Sequence, residues 1–234
     1  TATRMILDAE AELVKAYAVS MPSVKDEERM VWTHCRTLPD PEIICARLAR
    51  AGFTGVAVTQ LEGHYPSRLF EHGDETDWMQ KWVDAAHRHK LKIGIGFSSF
   101  LIPGDARIYG RAFKEDWRVV PAGMVGKPAR PIKEGSRIDP CRSRPEVVEY
   151  AIDKSLEIME NYPVDYIFYD YIRWAETCYC DHCRERFQKD TGLIIEKWPD
   201  DVMGKYQNEY NDWRAQMVTS VIRAAAQNIA RINP

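Results

Sequence analysis

Three cysteines crowd into six residues, Cys178-Tyr179-Cys180-Asp181-His182-Cys183, in a C-x-C-x-x-C spacing. Thiolates this close suit a tetrahedral zinc ion, which needs a fourth ligand. Geometry nominates Cys141. It immediately precedes a helix of about 17 residues, which carries the chain some 25 Å in one direction. The strand that follows, about ten residues long, climbs roughly 33 Å back. Cys141 and Cys178 therefore return to the same end. His182 is the alternative fourth ligand, and Cys35 a third choice. The competing reading is a set of reduced, unliganded thiols, or one disulfide with a spare. Four protein thiolates would leave no position open for water, so the zinc expected here is structural.

Catalytic chemistry points elsewhere. Asp170 lies late in the apolar, β-prone run Val164-Asp165-Tyr166-Ile167-Phe168-Tyr169-Asp170-Tyr171-Ile172-Arg173-Trp174. An acidic side chain there is costly unless it has a use or a partner. Asp165 opens the same run and reads as a turn or cap residue, whereas Asp170 falls near the far end. Pairing with Arg173 or Arg36 would give Asp170 a purely bracing role. His34, Arg36, Gln60 and Ser98 end earlier apolar runs, and Glu62, His64 and Tyr65 follow the second. Asp105 and Asp139 fall on a long loop, where turn roles are the default.

The elements that position these residues alternate. Apolar runs at 30–35, 55–60, 91–97 and 164–174 read as strands. Helices are expected from Asp40-Pro41 to Gly52, over 76–89, from a capping box at Ser143-Arg144-Pro145-Glu146, and over 205–232. A further amphipathic helix is expected over 5–19. Alternating strands and helices argue for βαβ units and a parallel sheet. Helix-to-strand links are short and the long loops follow strands, as in a (β/α)8 TIM barrel, where those loops build the active face. A doubly wound sheet would bring a glycine-rich phosphate turn after the first strand, and the sequence has none there. The expected fold is α/β of TIM-barrel type, with this chain supplying the first four βα units. The expected organisation is a helical extension over 1–29 and the N-terminal half of a barrel over 30–234. Within that half lie a long loop at 98–142 and a cysteine-rich segment at 175–192. A missing C-terminal half or a partner chain would complete it.

The bulk numbers fit. The chain has 234 residues, 45% of them hydrophobic, which is enough for a substantial core. A net charge of −3 gives no reason to expect a nucleic-acid partner. No apolar run approaches the ~20 residues that span a bilayer. The chain opens Thr1-Ala2-Thr3 without a methionine, so further residues or a targeting segment are expected upstream. Seven tryptophans and eleven tyrosines offer sugar-stacking surfaces as well as core.

Two resemblances follow from these residues. Ile138-Asp139-Pro140, Pro145-Glu146-Val147, Val164-Asp165-Tyr166-Ile167 and Asp170-Tyr171-Ile172-Arg173 recur in the order of a glycosyl-hydrolase-like barrel family. That family's bacterial members include envelope lipoproteins acting on peptidoglycan glycan strands. Ala51-Gly52-Phe53, Tyr65-Pro66-Ser67 and Ala86-His87-Arg88 extend the resemblance over about residues 30–175. The chain departs from the pattern at Tyr166, Phe168 and Trp174, where glycine, histidine and tyrosine are usual. Separately, Cys141 with Cys178, Cys180, Cys183 and Phe187 is similar to the zinc cluster of retaining β-galactosidase barrels.

The resemblances imply a glycoside hydrolase acting on an oligo- or polysaccharide. Asp170 would be one catalytic carboxylate and the second would lie outside this chain. His34, Arg36, Gln60, His64, Tyr65, Tyr171, Arg173 and Trp174 would contact the carbohydrate, with the stacking rings drawn from Tyr65, Tyr171 and Trp174. A non-catalytic carbohydrate-binding or assembly barrel is the alternative, and zinc-dependent hydrolysis a third reading. The first resemblance points outside the inner membrane, while a zinc–thiolate cluster is at ease in the cytosol.

Overall fold

The computed structural model describes residues 28–35, 39–61, 63–69, 76–98, 117–128, 139–170, 172 and 176–232. The expected helix over 5–19 lies outside them. The fold is α/β, with four strands in the sequential order β1-β2-β3-β4. They are β1 (Met30–His34), β2 (Gly55–Thr59), β3 (Lys92–Ser98) and β4 (Tyr166–Asp170). β1 pairs with β2 and β2 with β3 in parallel, with Trp32 opposite Ala57 and Ala57 opposite Gly94. The helices are α1 (Pro41–Arg50), α2 (Trp78–Arg88), α3 (Pro145–Asn161), α4 (Asp181–Thr191), α5 (Asp200–Met203) and α6 (Gln207–Ile232). The chain divides into two compact units. The first takes the described residues of 1–66, 72–97 and 162–168, and the second takes those of 67–71, 98–161 and 169–234.

In the first unit, chain chemistry sets the ends of each element. Asp40 caps α1, its Oδ1 accepting from Glu42 N at 2.9 Å, and Pro41 fills the first helical position. Gly52, at φ 78°, takes the left-handed turn out of the helix. Asp77 caps α2 in the same way through Gln80 N, and its other oxygen accepts from Tyr162 Oη at 2.9 Å. All five residues of β2 are buried, as a parallel strand covered on both faces requires. Val56, Val58, Ile93 and Ile95 lie on one face of β2 and β3, fully buried. Each contributes about 1.5–3 kcal/mol by leaving water. Asp165 is structural, but as a tie to β3 rather than the turn or cap residue expected of it. Its Oδ2 accepts from Ile93 N at 2.8 Å, its own N–H donates to Ile93 O at 2.8 Å, and His87 stands 3.6 Å away.

The other face of this sheet is built differently. Gly94 and Gly96 leave room for the rings of Phe168 and Trp32, which meet edge to face at 5.6 Å. A Cβ added at Gly94 would stand 2.1 Å from Phe168 Cε2, and one at Gly96 2.6 Å from Thr59 Cγ2. Gly94→Ala should therefore destabilise the protein by about 1–3 kcal/mol in urea unfolding, the usual cost of overpacking. The same change in a Phe168→Leu background should cost less. Equal costs in the two backgrounds would show that the ring is not what excludes the methyl group.

The second unit packs α3 against α6, with Val147, Ala151 and Val221 buried between them. Glu157 on α3 is buried and accepts from Ser67 Oγ and Arg68 N, both at 2.6 Å. The predicted start of α3 needs one correction. The helix begins at Pro145, so Arg144 occupies the residue before it and Ser143 falls one residue too early to cap.

Candidate functional site

Four segments of the second unit converge on one spot. Val119 N donates to Asp139 O at 2.9 Å, and Cys141 N to Trp117 O at 2.6 Å. Tyr179 N donates to Val120 O at 2.7 Å. The loop after β3 and the loop after β4 are thereby tied together. Cys180 is the N-cap of α4 and Cys183 sits in its first turn. One turn further on, Phe187 is buried, and Gly192 at φ 72° ends the helix.

The result is a buried nest of Cys141, Cys178, Cys180 and Cys183, whose sulfur atoms all lie within 4.8 Å of one another. Cys141 Sγ is 3.3 Å from Cys183 Sγ and 3.8 Å from Cys180 Sγ. A tetrahedral ion with metal–sulfur bonds of about 2.3 Å spaces its sulfurs about 3.8 Å apart. The four thiols therefore fit a single ion. Crowding polarises them: hydrogen bonds from neighbouring thiols hold Cys141 and Cys180 down, while donation to Cys141 pushes Cys178 and Cys183 up. Binding a metal ion requires all four to give up their protons.

Aromatic rings enclose the nest. Tyr210 stacks on Trp213 at 5.4 Å, meets Phe187 edge-on at 5.0 Å, and donates its hydroxyl to the Cys178 carbonyl. Of the three candidates for fourth ligand, Cys141 is the one that joins. His182 Nε2 instead donates to the Ser143 carbonyl at 3.0 Å, and Cys35 belongs to the first unit. Burial pushes the thiols of both Cys35 and Cys45 up to about 12, so neither offers a thiolate at neutral pH. Iodoacetamide mass labelling should then leave Cys35 and Cys45 unmodified until the protein unfolds. Labelling of Cys35 or Cys45 in the folded protein would contradict this.

The candidate catalytic and binding residues fall in both units. Asp170 ends β4, half-buried, in the second. His34, Gln60, His64 and Tyr65 belong to the first. His34 is exposed at the end of β1, with Nδ1 2.8 Å from Thr59 Oγ1. The Thr59 hydroxyl also stands 3.3 Å from Thr33 O; when it donates there it accepts from His34 Nδ1–H, which leaves Nε2 of the neutral ring as an acceptor. Gln60 sits at φ 64°, left-handed without being glycine, a conformation that costs about 1–3 kcal/mol and gathers at functional positions. His64 is half-buried in the turn before α2 and accepts from Trp78 N through its carbonyl.

Tyr65 departs from the expected stacking role. It is 1% exposed and meets Tyr162 edge-on at 6.0 Å, so its ring serves the core. Arg36, Tyr171, Arg173 and Trp174, with Glu62 and Asp105, lie outside the described residues. The sequence reading passed over Trp32, which is 41% exposed two residues before His34. The i, i+2 spacing along a strand is the signal that puts both on one face.

No family model matches this sequence, and no curated protein matches it. Solved structures do. Alpha-L-fucosidase isoenzyme 2 from Paenibacillus thiaminolyticus is 22% identical over 89% of this chain and 31% of its own, with a TM-score of 0.58. A GH36 alpha-galactosidase from Geobacillus stearothermophilus is 14% identical over 90% of this chain and 27% of its own, with a TM-score of 0.51. An alpha-galactosidase from Lactobacillus brevis reaches 0.50 at 16% identity, over 89% of this chain and 26% of its own. The fold of this chain is that of a segment of glycoside hydrolases. The chain spans less than a third of the length of these structures. Among the described residues, no helix is long and apolar enough to cross a membrane.

Proposed function

We propose that this chain is the strand-one-to-four part of a glycoside hydrolase barrel, with Asp170 as one of its two catalytic carboxylates. The observation that carries this reading is an aspartate at the carboxyl end of β4, in a chain whose fold neighbours are glycosidases. Side chains at that end of barrel strands face the substrate. Glycoside hydrolysis pairs two carboxyl groups, about 5–5.5 Å apart for retention and 6.5–9.5 Å for inversion. The second is expected on a later strand, outside this chain.

His34 would accept a sugar hydroxyl at Nε2. Gln60 and His64, with Arg36, Tyr171, Arg173 and Trp174, would supply further polar and stacking contacts. The cysteine nest would hold a structural zinc ion through Cys141, Cys178, Cys180 and Cys183. Such an ion supplies loop rigidity alone, because four thiolates fill its coordination sphere.

The test is turnover of a panel of aryl glycosides and oligosaccharides by the complete polypeptide that carries this segment. Hydrolysis lost on Asp170→Asn supports the reading. Sugar binding without turnover would favour a carbohydrate-binding barrel instead.

A further inference from the structure

The metal reading leaves one buried group unexplained. Ser143 is 0% exposed, and its Oγ lies 3.0 Å from Cys141 Sγ and 3.2 Å from Cys183 Sγ. Its backbone is clamped independently, since the Ser143 carbonyl accepts from His182 Nε2 at 3.0 Å and from Arg186 Nη1. The hydroxyl is therefore held against two of the four sulfurs by contacts that do not involve the hydroxyl.

Charge decides what it does there. A divalent ion with four thiolates carries two net negative charges in a buried site, which is costly unless donors face the sulfurs. Val120 N–H is one such donor, 3.4 Å from Cys178 Sγ. Once Cys141 and Cys183 bind metal as thiolates, they present only lone pairs to Ser143. The hydroxyl can then satisfy its own proton and a sulfur together by donating. A hydrogen bond to a charged group is about twice as strong as one between neutral groups, so the donation favours the metal-bound state over the free thiols.

Resting on the proposed metal site, we infer that Ser143 is a positioning residue for the ion. Its hydroxyl donates to a metal-bound thiolate of Cys141 or Cys183 and raises the affinity of the nest, without being a ligand. Hydrogen-bond partners of metal ligands are worth roughly 10–100-fold in metal affinity.

The experiment uses the complete polypeptide, loaded with cobalt(II) as a spectroscopic stand-in for zinc and titrated against a competing chelator. Ser143→Ala deletes the hydroxyl and leaves the clamped carbonyl. The variant should keep the thiolate-to-cobalt charge-transfer intensity of four sulfurs, shift that band to lower energy, and bind cobalt about 10–100-fold more weakly. An unchanged band and an affinity within twofold of the parent would overturn the inference while leaving the metal site standing. Reduced intensity in the variant would also overturn it, by making Ser143 part of the ligand set. No charge-transfer band in the parent protein would instead sink the metal reading itself. The band position is read directly from bound cobalt, so it remains informative where the substitution also lowers stability.

Discussion

Chelating the ion from Cys141, Cys178, Cys180 and Cys183 should lower the melting temperature of the second unit by about 8–16 °C. An ion present at about 1,000 times its dissociation constant contributes about 4 kcal/mol to the state that binds it. For domains of this size each kcal/mol moves the midpoint by about 2–4 °C. The loss has an address. The four sulfurs join the segments 117–120 and 139–144, the residues around Cys178, and the first turn of α4. Amide hydrogen exchange should accelerate there and in the Tyr210 region, and should stay unchanged in β1, β2 and β3. Re-adding zinc should restore both the midpoint and the protection. A melting curve indifferent to chelator and to zinc would remove the ion from the account of this fold.

On the proposed glycosidase reading, Asp170→Asn should reduce kcat at least about 100-fold in the complete polypeptide, because a positioned carboxyl group contributes about 10²–10⁴ to such a reaction. Asparagine has nearly the same shape and still forms hydrogen bonds, so KM should stay within a few-fold. That split separates loss of chemistry from loss of binding. Azide added to the variant then distinguishes two roles. A glycosyl azide of inverted configuration would mean that Asp170 was the nucleophile and that its removal opened that face of the sugar. One of retained configuration would mean that it was the acid/base residue, with the covalent intermediate still forming on the other carboxylate. Turnover within about tenfold of the parent would remove Asp170 from the catalytic pair.

Much of this was legible in the residue pattern. The four apolar runs became β1 to β4 within a residue or two at most ends, because Val and Ile fit a pleated, covered surface wherever the run lies. That Cys141 returns to the three clustered cysteines followed from element lengths alone. What was missed has a common cause. α4, with the sequence Asp181-His182-Cys183-Arg184-Glu185-Arg186-Phe187-Gln188-Lys189-Asp190-Thr191, buries only Cys183 and Phe187. It carries no apolar stripe to read, since its anchor is the sulfur nest and the rings around it. Ser143 was read as a cap because Ser-x-x-Glu is a local signal, whereas one of the two sulfurs that face it lies 40 residues on. Tyr65 was read as a sugar platform because a sequence cannot distinguish a ring beside a cleft from one facing Tyr162.

The bond from Ile93 N to the Asp165 carboxylate joins residues 72 positions apart in the chain. A ribosome adding about 5–20 residues per second takes roughly 4–14 s to make that stretch. Between the emergence of residue 93 and that of residue 165, β3 is outside the exit tunnel while the strand that borders it has not yet emerged. The groove over Gly94 waits for Phe168, and the outer edge of the sheet has no neighbour. An open edge is a template for pairing with other chains. The nascent first unit therefore meets its greatest aggregation hazard before residue 168 emerges, and that is the window in which a chaperone covering β3 would matter most.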